Sequence, residues 1–132
     1  MNIVHSFAEA LDRDDYETAL HLLEPEATYQ RGTDLITGAP AIVESFLKAS
    51  DWARRNLDAI EYHHEIDDAS PLEISFIDIL RCEGDELRIQ HSVFLQLSGN
   101  GLIGHLSFTQ PPGEKETLGA FFRRHRLAPP GT

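Results

Sequence analysis

Residues 72–97 read LEISFIDILRCEGDELRIQHSVFLQL, and the rest of the chain is understood from them. Apolar residues recur at every second position. Ile74, Phe76, Leu80 and Cys82 alternate with Glu73, Ser75 and Arg81; Leu87, Ile89, Val93 and Leu95 alternate with Arg88, Gln90, Ser92 and Gln96. A period of two marks a strand with one buried face. Gly84-Asp85 between the halves is a two-residue turn signal, so the stretch reads as a hairpin. With that turn, Cys82 lies beside Leu87, Leu80 beside Ile89, Phe76 beside Val93 and Ile74 beside Leu95. All these pairs are apolar, and a slip of one residue would expose one member of each. The same register sets Asp78 directly opposite His91. The two polar residues of this face are then neighbours, with Cβ atoms roughly 4.5–5.5 Å apart.

Working outward, Gly99-Asn100 predicts a second turn and a final strand from Leu102 to about Gln110, with His91 facing Phe108 and Val93 facing Leu106. Pro111-Pro112-Gly113 stops that strand, and a last short helix carries Leu118, Phe121 and Phe122 on one side. Upstream, residues 57–66 also alternate. Placing Ile60, Tyr62, His64 and Ile66 inward gives more apolar members than the parity that turns Glu61 and His63 inward. Further back the period is helical: Ile3, Val4, Phe7, Ala8 and Leu11 form one stripe. Asp14 or Asp15 caps a second short helix bearing Tyr16, Ala19, Leu20 and Leu23, which Pro25 ends. Residues 27–30 read as a short strand. Gly38 and Pro40 open a third helix with Ile42, Phe46, Leu47, Ala49 and Ala53 inward and Trp52 near its end. The prediction is an α+β fold, helices first and an antiparallel sheet second. Residues 1–132 form one domain, because a chain of 132 residues holds one core.

Composition narrows the partners. The apolar fraction of 41% and charged fraction of 25% are those of a globular protein. A formal net charge of −11 repels nucleic acid and anionic membranes, so neither is expected as a partner. Arg123, Arg124, His125 and Arg126 form the one basic cluster, and they read as cations at a helix C-terminus. No apolar run is long enough to span a bilayer. The first residues lack the basic start of a signal peptide. Cys82 is the single cysteine, which excludes an internal disulfide and fits a reducing compartment; the expected location is cytoplasmic.

The stretches FAEALDRDDYETALHLLEPEATYQ, GAPAIVESFLKA and GNGLIGHLSFTQ, in this order, resemble the nuclear-transport-factor-2-like superfamily, which includes SnoaL-like polyketide cyclases, ketosteroid isomerase, scytalone dehydratase and limonene epoxide hydrolase. The resemblance covers nearly the whole chain. It implies a strongly curved sheet wrapped as a cone around the N-terminal helices, with a short C-terminal helix and a small-molecule pocket inside. It also implies a homodimer through the outer sheet face. The superfamily's catalytic residues do not carry over. The position of the isomerase's general-base Asp falls on Tyr29, and that of its second Asp near Val93. The hydrolase's strand Asp aligns with Asp78, but its arginine partner is replaced by Phe76, and its other Asp falls near Phe108.

Asp78 and His91 are the candidate catalytic pair. A histidine oriented by a carboxylate serves as general acid or base near neutral pH. The competing reading is a structural hydrogen bond that satisfies both groups. Tyr29, Trp52, Tyr62 and His64 are candidate ligand-binding residues, and aromatic side chains of this kind also serve as plain core. No metal and no cofactor are expected. His63 and His64 point to opposite faces of a strand, and His64, Asp78 and His91 lack any local ligand spacing. The expected partner is a small hydrophobic ligand, handled by a lyase, isomerase or hydrolase; the alternative is a non-catalytic dimerisation or partner-binding module with a vestigial pocket. Ile77, Ile79, Phe94 and Ile103 mark the outer sheet face, where a second copy is expected to dock.

Overall fold

A computed structural model describes residues 2–129. Helix α1 (Ile3–Asp12) begins where the Asn2 side chain accepts the Val4 amide at 3.0 Å. Helix α2 (Tyr16–His21) is capped by Asp15, the second of the two aspartates that the sequence allowed. Strands β1 (Leu23–Arg31) and β2 (Asp34–Thr37) follow, then helix α3 (Ala39–Asn56). The remainder is β3 (Ala59–Glu65), β4 (Glu73–Cys82), β5 (Asp85–Leu97), β6 (Ile103–Thr109) and helix α4 (Glu114–Arg124).

Among the described residues, six strands form one curved sheet in the order β2-β1-β6-β5-β4-β3. All neighbours are antiparallel except β1 and β6, which run parallel. Three features differ from the sequence expectation here. The first strand is longer than residues 27–30, and β2 was not foreseen. Pro25 lies inside β1 instead of ending α2. It is tolerated because the β1–β6 register shifts between Leu23 and Thr28, so no regular ladder hydrogen bond is demanded of it.

The central hairpin forms with the predicted faces, but its register is displaced by two residues. Ile74 pairs with Val93, Phe76 with His91, Asp78 with Ile89 and Leu80 with Leu87. The turn residues are Glu83 and Gly84, at φ +52° and +78°, where Gly84 and Asp85 were expected. Positive φ at both central positions is the backbone that matches the twist of a hairpin. Tertiary contacts fix the choice: His125 bonds Glu83 and Asp85 at 2.9 and 2.8 Å, and Arg124 bonds Asp85 at 2.7 Å. A slip of two keeps every side chain on its face, so the apolar pattern cannot detect it. The β5–β6 register is displaced in the same sense: Val93 pairs with Phe108 and Leu95 with Leu106, with an irregularity at Gln96 and Leu97.

Among the described residues, two apolar clusters fill the concave side. One joins α1, α3 and the sheet through Phe7, Ile42, Ile74, Val93, Ile103 and Leu106. The other joins the end of α3 to α4 and the hairpin through Ala53, Leu80, Ile89, Phe121 and Phe122. Asp78 lies between Phe76 and Leu80 along β4, and His91 between Ile89 and Val93 along β5. The concave face therefore changes from apolar to polar at the seam between the clusters. Helix α4 is tied across the end of the sheet, where the Glu114 carboxylate accepts the Gln90 amide at 3.1 Å just beyond the last β5–β6 pair.

Candidate functional site

A cavity of about 160 Å³ opens at this seam. Its walls come from α1 (Leu11, Asp12), the α1–α2 turn (Asp14), β1 (Tyr29, Arg31), α3 (Phe46, Ser50) and the concave sheet (Tyr62, Phe76, Asp78, His91, Phe108). Drug-sized ligands occupy pockets of roughly 300 Å³ or more. This one suits a single ring, or a longer molecule that protrudes through the mouth.

Asp78 and His91 both face the cavity, as the parity requires, but they are not directly opposed. The corrected register makes them diagonal neighbours with Cα partners Ile89 and Phe76. Such pairs stand roughly 7–8 Å apart. No hydrogen bond joins them, so the expected dyad is replaced by two separate groups on one wall. Among the described residues, the Asp78 carboxyl has no hydrogen-bond partner. Burial, reinforced by the negative charge of Asp12, pushes its pKa up to about 7. His91 lies between two phenyl rings, its centroid 5.3 Å from Phe76 and 5.1 Å from Phe108. Burial, together with the Arg31 charge, lowers its pKa to about 4, so the imidazole is neutral at physiological pH.

The other four sequence candidates divide evenly. Tyr29 lines the cavity, 2% exposed and stacked on Phe46 at 5.3 Å, and burial pushes its phenol up to about 12. Tyr62 lines it as well; its hydroxyl donates to Ser50 Oγ at 3.0 Å. Trp52 does not. It packs edge-on against Phe122 at 5.0 Å in the second cluster, because the last turns of α3 extend beyond the cavity to meet α4. His64 points inward but is not a wall residue: α1 crosses β3 there, and His64 Nδ1 pairs with Asp12 Oδ2 at 2.5 Å. The aspartate–histidine pair beside the cavity is therefore Asp12–His64. The other Asp12 oxygen, Oδ1, is buried without a partner.

Several wall residues were missed by sequence reasoning. Asp14, at φ +56°, points its carboxylate inward and accepts from Tyr16 at 2.7 Å, Ser50 at 2.8 Å and Arg54 at 2.7 Å. Burial alone would raise its pKa, but these three donors hold it below the ordinary carboxylate range. With Tyr62 on Ser50, a continuous polar network runs from β3 to the α1–α2 turn. The available signal was the spacing of Ser50 and Arg54 on α3, which places both on one helix face. Arg31, at the end of β1, carried no such signal.

Among the described residues, one group of three possible metal-ligating side chains has its donor atoms close together: Cys82, Glu83 and His125. Both His125 ring nitrogens there already face carboxylates. His64, Asp78 and His91 form no such group.

No family model matches the sequence, and no curated protein matches it. Solved structures do match in fold. A protein of unknown function described as NTF2-like, from Cytophaga hutchinsonii, is similar at 17% identity with TM-score 0.54, covering 83% of this chain and 88% of its own. A Mycobacterium tuberculosis protein solved in complex with estradiol-17beta-hemisuccinate is similar at 17% identity with TM-score 0.58, covering 85% and 93%. A steroid delta-isomerase from Pseudomonas aeruginosa is similar at 18% identity with TM-score 0.54, covering 93% and 90%. The chain has the nuclear-transport-factor-2-like fold.

Proposed function

We propose that this protein binds a small, mainly apolar molecule in the cavity and moves a proton on it through Asp78. One observation carries the reading: an unpartnered carboxyl on an aromatic-walled cavity, with a pKa of about 7. Such a group holds or releases a proton with comparable ease at neutral pH, which is what general acid–base catalysis requires. The fitting reaction is an isomerisation. Asp78 takes a proton from carbon beside a carbonyl, the double bond shifts, and the same carboxyl returns the proton at another carbon. Tyr29, whose hydroxyl has no partner among the described residues, is the donor for the oxygen on which charge develops. His91 stays neutral and supplies a flat wall. The similar proteins that are named for a steroid isomerase activity or were solved with a steroid derivative support a small apolar ligand.

Native mass spectrometry of the purified protein should show a bound small molecule. Incubating that molecule in heavy water with the wild type should place deuterium on carbon. Asp78→Asn should bind the ligand and leave it unlabelled. Equal labelling by wild type and variant would remove Asp78 from the chemistry.

The proposal includes a homodimer through the convex sheet face, in a cytoplasmic setting suited to the lone Cys82. That face is less apolar than expected. Ile103 turns inward at 0% exposure and Ile77 is covered at 4%, which leaves the partly buried Ile79 and Phe94, 42% exposed, as the contact. Among the described residues, no helix is long and apolar enough to cross a membrane.

A further inference from the structure

We infer that the ligand is a single-ring carboxylate whose anionic group is held by Arg31. This rests on the proposed pocket function and names its substrate class. Arg31 is the one cationic side chain among the described wall residues. Its guanidinium carbon stands 5.9 Å from the centroid of the Tyr29 ring and 5.7 Å from that of Phe108, two walls of the same cavity. Stacking of this kind fixes a guanidinium while leaving its N–H edge free to bond.

That edge is unused. Among the described residues no carboxylate pairs with Arg31, although Asp34 lies across the β1–β2 hairpin from it. Among the described residues Arg13, Arg54, Arg55, Arg81 and Arg124 make ion pairs, and of the remaining arginines only Arg31 lines the cavity. A guanidinium fork matches a carboxylate through two parallel bonds, which a neutral oxygen cannot reproduce.

The cavity sets the size of the rest. An apolar protein cavity of about 150 Å³ accepts one benzene ring, and this cavity measures about 160 Å³. Phe46, Phe76, Phe108 and His91 present rings to such a guest, so a flat or half-chair six-membered ring fits. The other acidic groups lie apart from the anion site in chemistry if not in distance. Asp14 is neutralised by Arg54, and Asp12 is paired with His64. Asp78 is left to meet the ring.

The test uses benzoate and cyclohexanecarboxylate against benzamide and cyclohexanecarboxamide, neutral amides of the same shape. Binding is measured by calorimetry at about pH 6 on the wild type, Arg31→Gln and Ala49→Phe, which puts a ring at an α3 residue lining the same cavity. The carboxylates should bind wild type at least about tenfold more tightly than the amides, the ratio worth ~1.4 kcal/mol. Arg31→Gln should abolish that ratio while keeping amide affinity, and Ala49→Phe should abolish binding of all four. Equal affinity for acids and amides in the wild type, or a ratio that survives Arg31→Gln, overturns the carboxylate inference and leaves the pocket standing. Failure of all four probes to bind wild type, or binding that Ala49→Phe leaves intact, overturns both.

Discussion

Asp78 and His91 burden the folded state in opposite directions, and removing either should expose the other in the pH dependence of stability. The Asp78 pKa rises from 3.8 in an unstructured chain to about 7 in the fold. Between those values the native protein keeps a proton that the unfolded chain has released, so raising the pH weakens the fold. Above pH 7 the loss is constant. A shift of roughly 3 units at ~1.4 kcal/mol each sets a ceiling near 4 kcal/mol, and water reaching the open cavity reduces this to ~2–4 kcal/mol. The His91 pKa falls from 6.5 to about 4. There the unfolded chain binds the extra proton, and lowering the pH weakens the fold by up to ~3 kcal/mol. From pH 4 to 6.5 the two slopes offset each other in the wild type. Urea unfolding of wild type, Asp78→Asn and His91→Gln at closely spaced pH values separates them. The difference between Asp78→Asn and wild type should be smallest near pH 4 and move in favour of the variant by ~2–4 kcal/mol up to about pH 8. His91→Gln should gain relative to wild type in the opposite sense, as the pH falls from 6.5 to 4. Difference curves flat to within ~0.5 kcal/mol would refute the reasoning, because neither group would then be buried without a partner.

Ser50→Ala removes the hydroxyl that links Tyr62 to Asp14, and urea denaturation should show a loss of ~1–3 kcal/mol. Phe121→Ala empties a fully buried anchor of α4 and should cost ~3–5 kcal/mol by the same measurement. Hydrogen bonds to Asp85 and Glu83 raise the His125 pKa. This stabilisation is complete below the unfolded value and is lost as pH rises through the folded one, so hydrogen-exchange protection of α4 should decline as pH rises past the ordinary imidazole value and become less pH-sensitive in His125→Gln. Sedimentation at micromolar concentration should find two chains per particle, and Phe94→Glu one; a monomeric wild type would end the dimer proposal. Elemental analysis should find no stoichiometric metal, and one zinc or iron per chain would contradict that expectation.

The sequence by itself determined which face of each strand is buried, because that depends only on local alternation of apolar and polar residues. Ile74, Phe76, Leu80, Val93 and Leu95 point inward, and Tyr62 shares their side, all from a period of two. The helical stripe of α1 and the Gly38-Pro40 start of α3 were legible for the same reason: their signals lie within a few residues. Asp78 and His91 were found because a polar residue on an apolar face is conspicuous in one dimension. Their separation was not. A two-residue shift of register preserves the whole pattern, and the Arg124 and His125 contacts to the Glu83–Asp85 turn come from the far end of the chain. Long-range packing likewise decided that α4 covers Trp52, that Asp12 captures His64, and that Ser50 and Arg54 converge on Asp14. Arg31 became notable only once folding set Tyr29 and Phe108 beneath it. Periodicity fixes which way a side chain faces; its neighbour across the fold is set by contacts between distant segments, which no local pattern encodes.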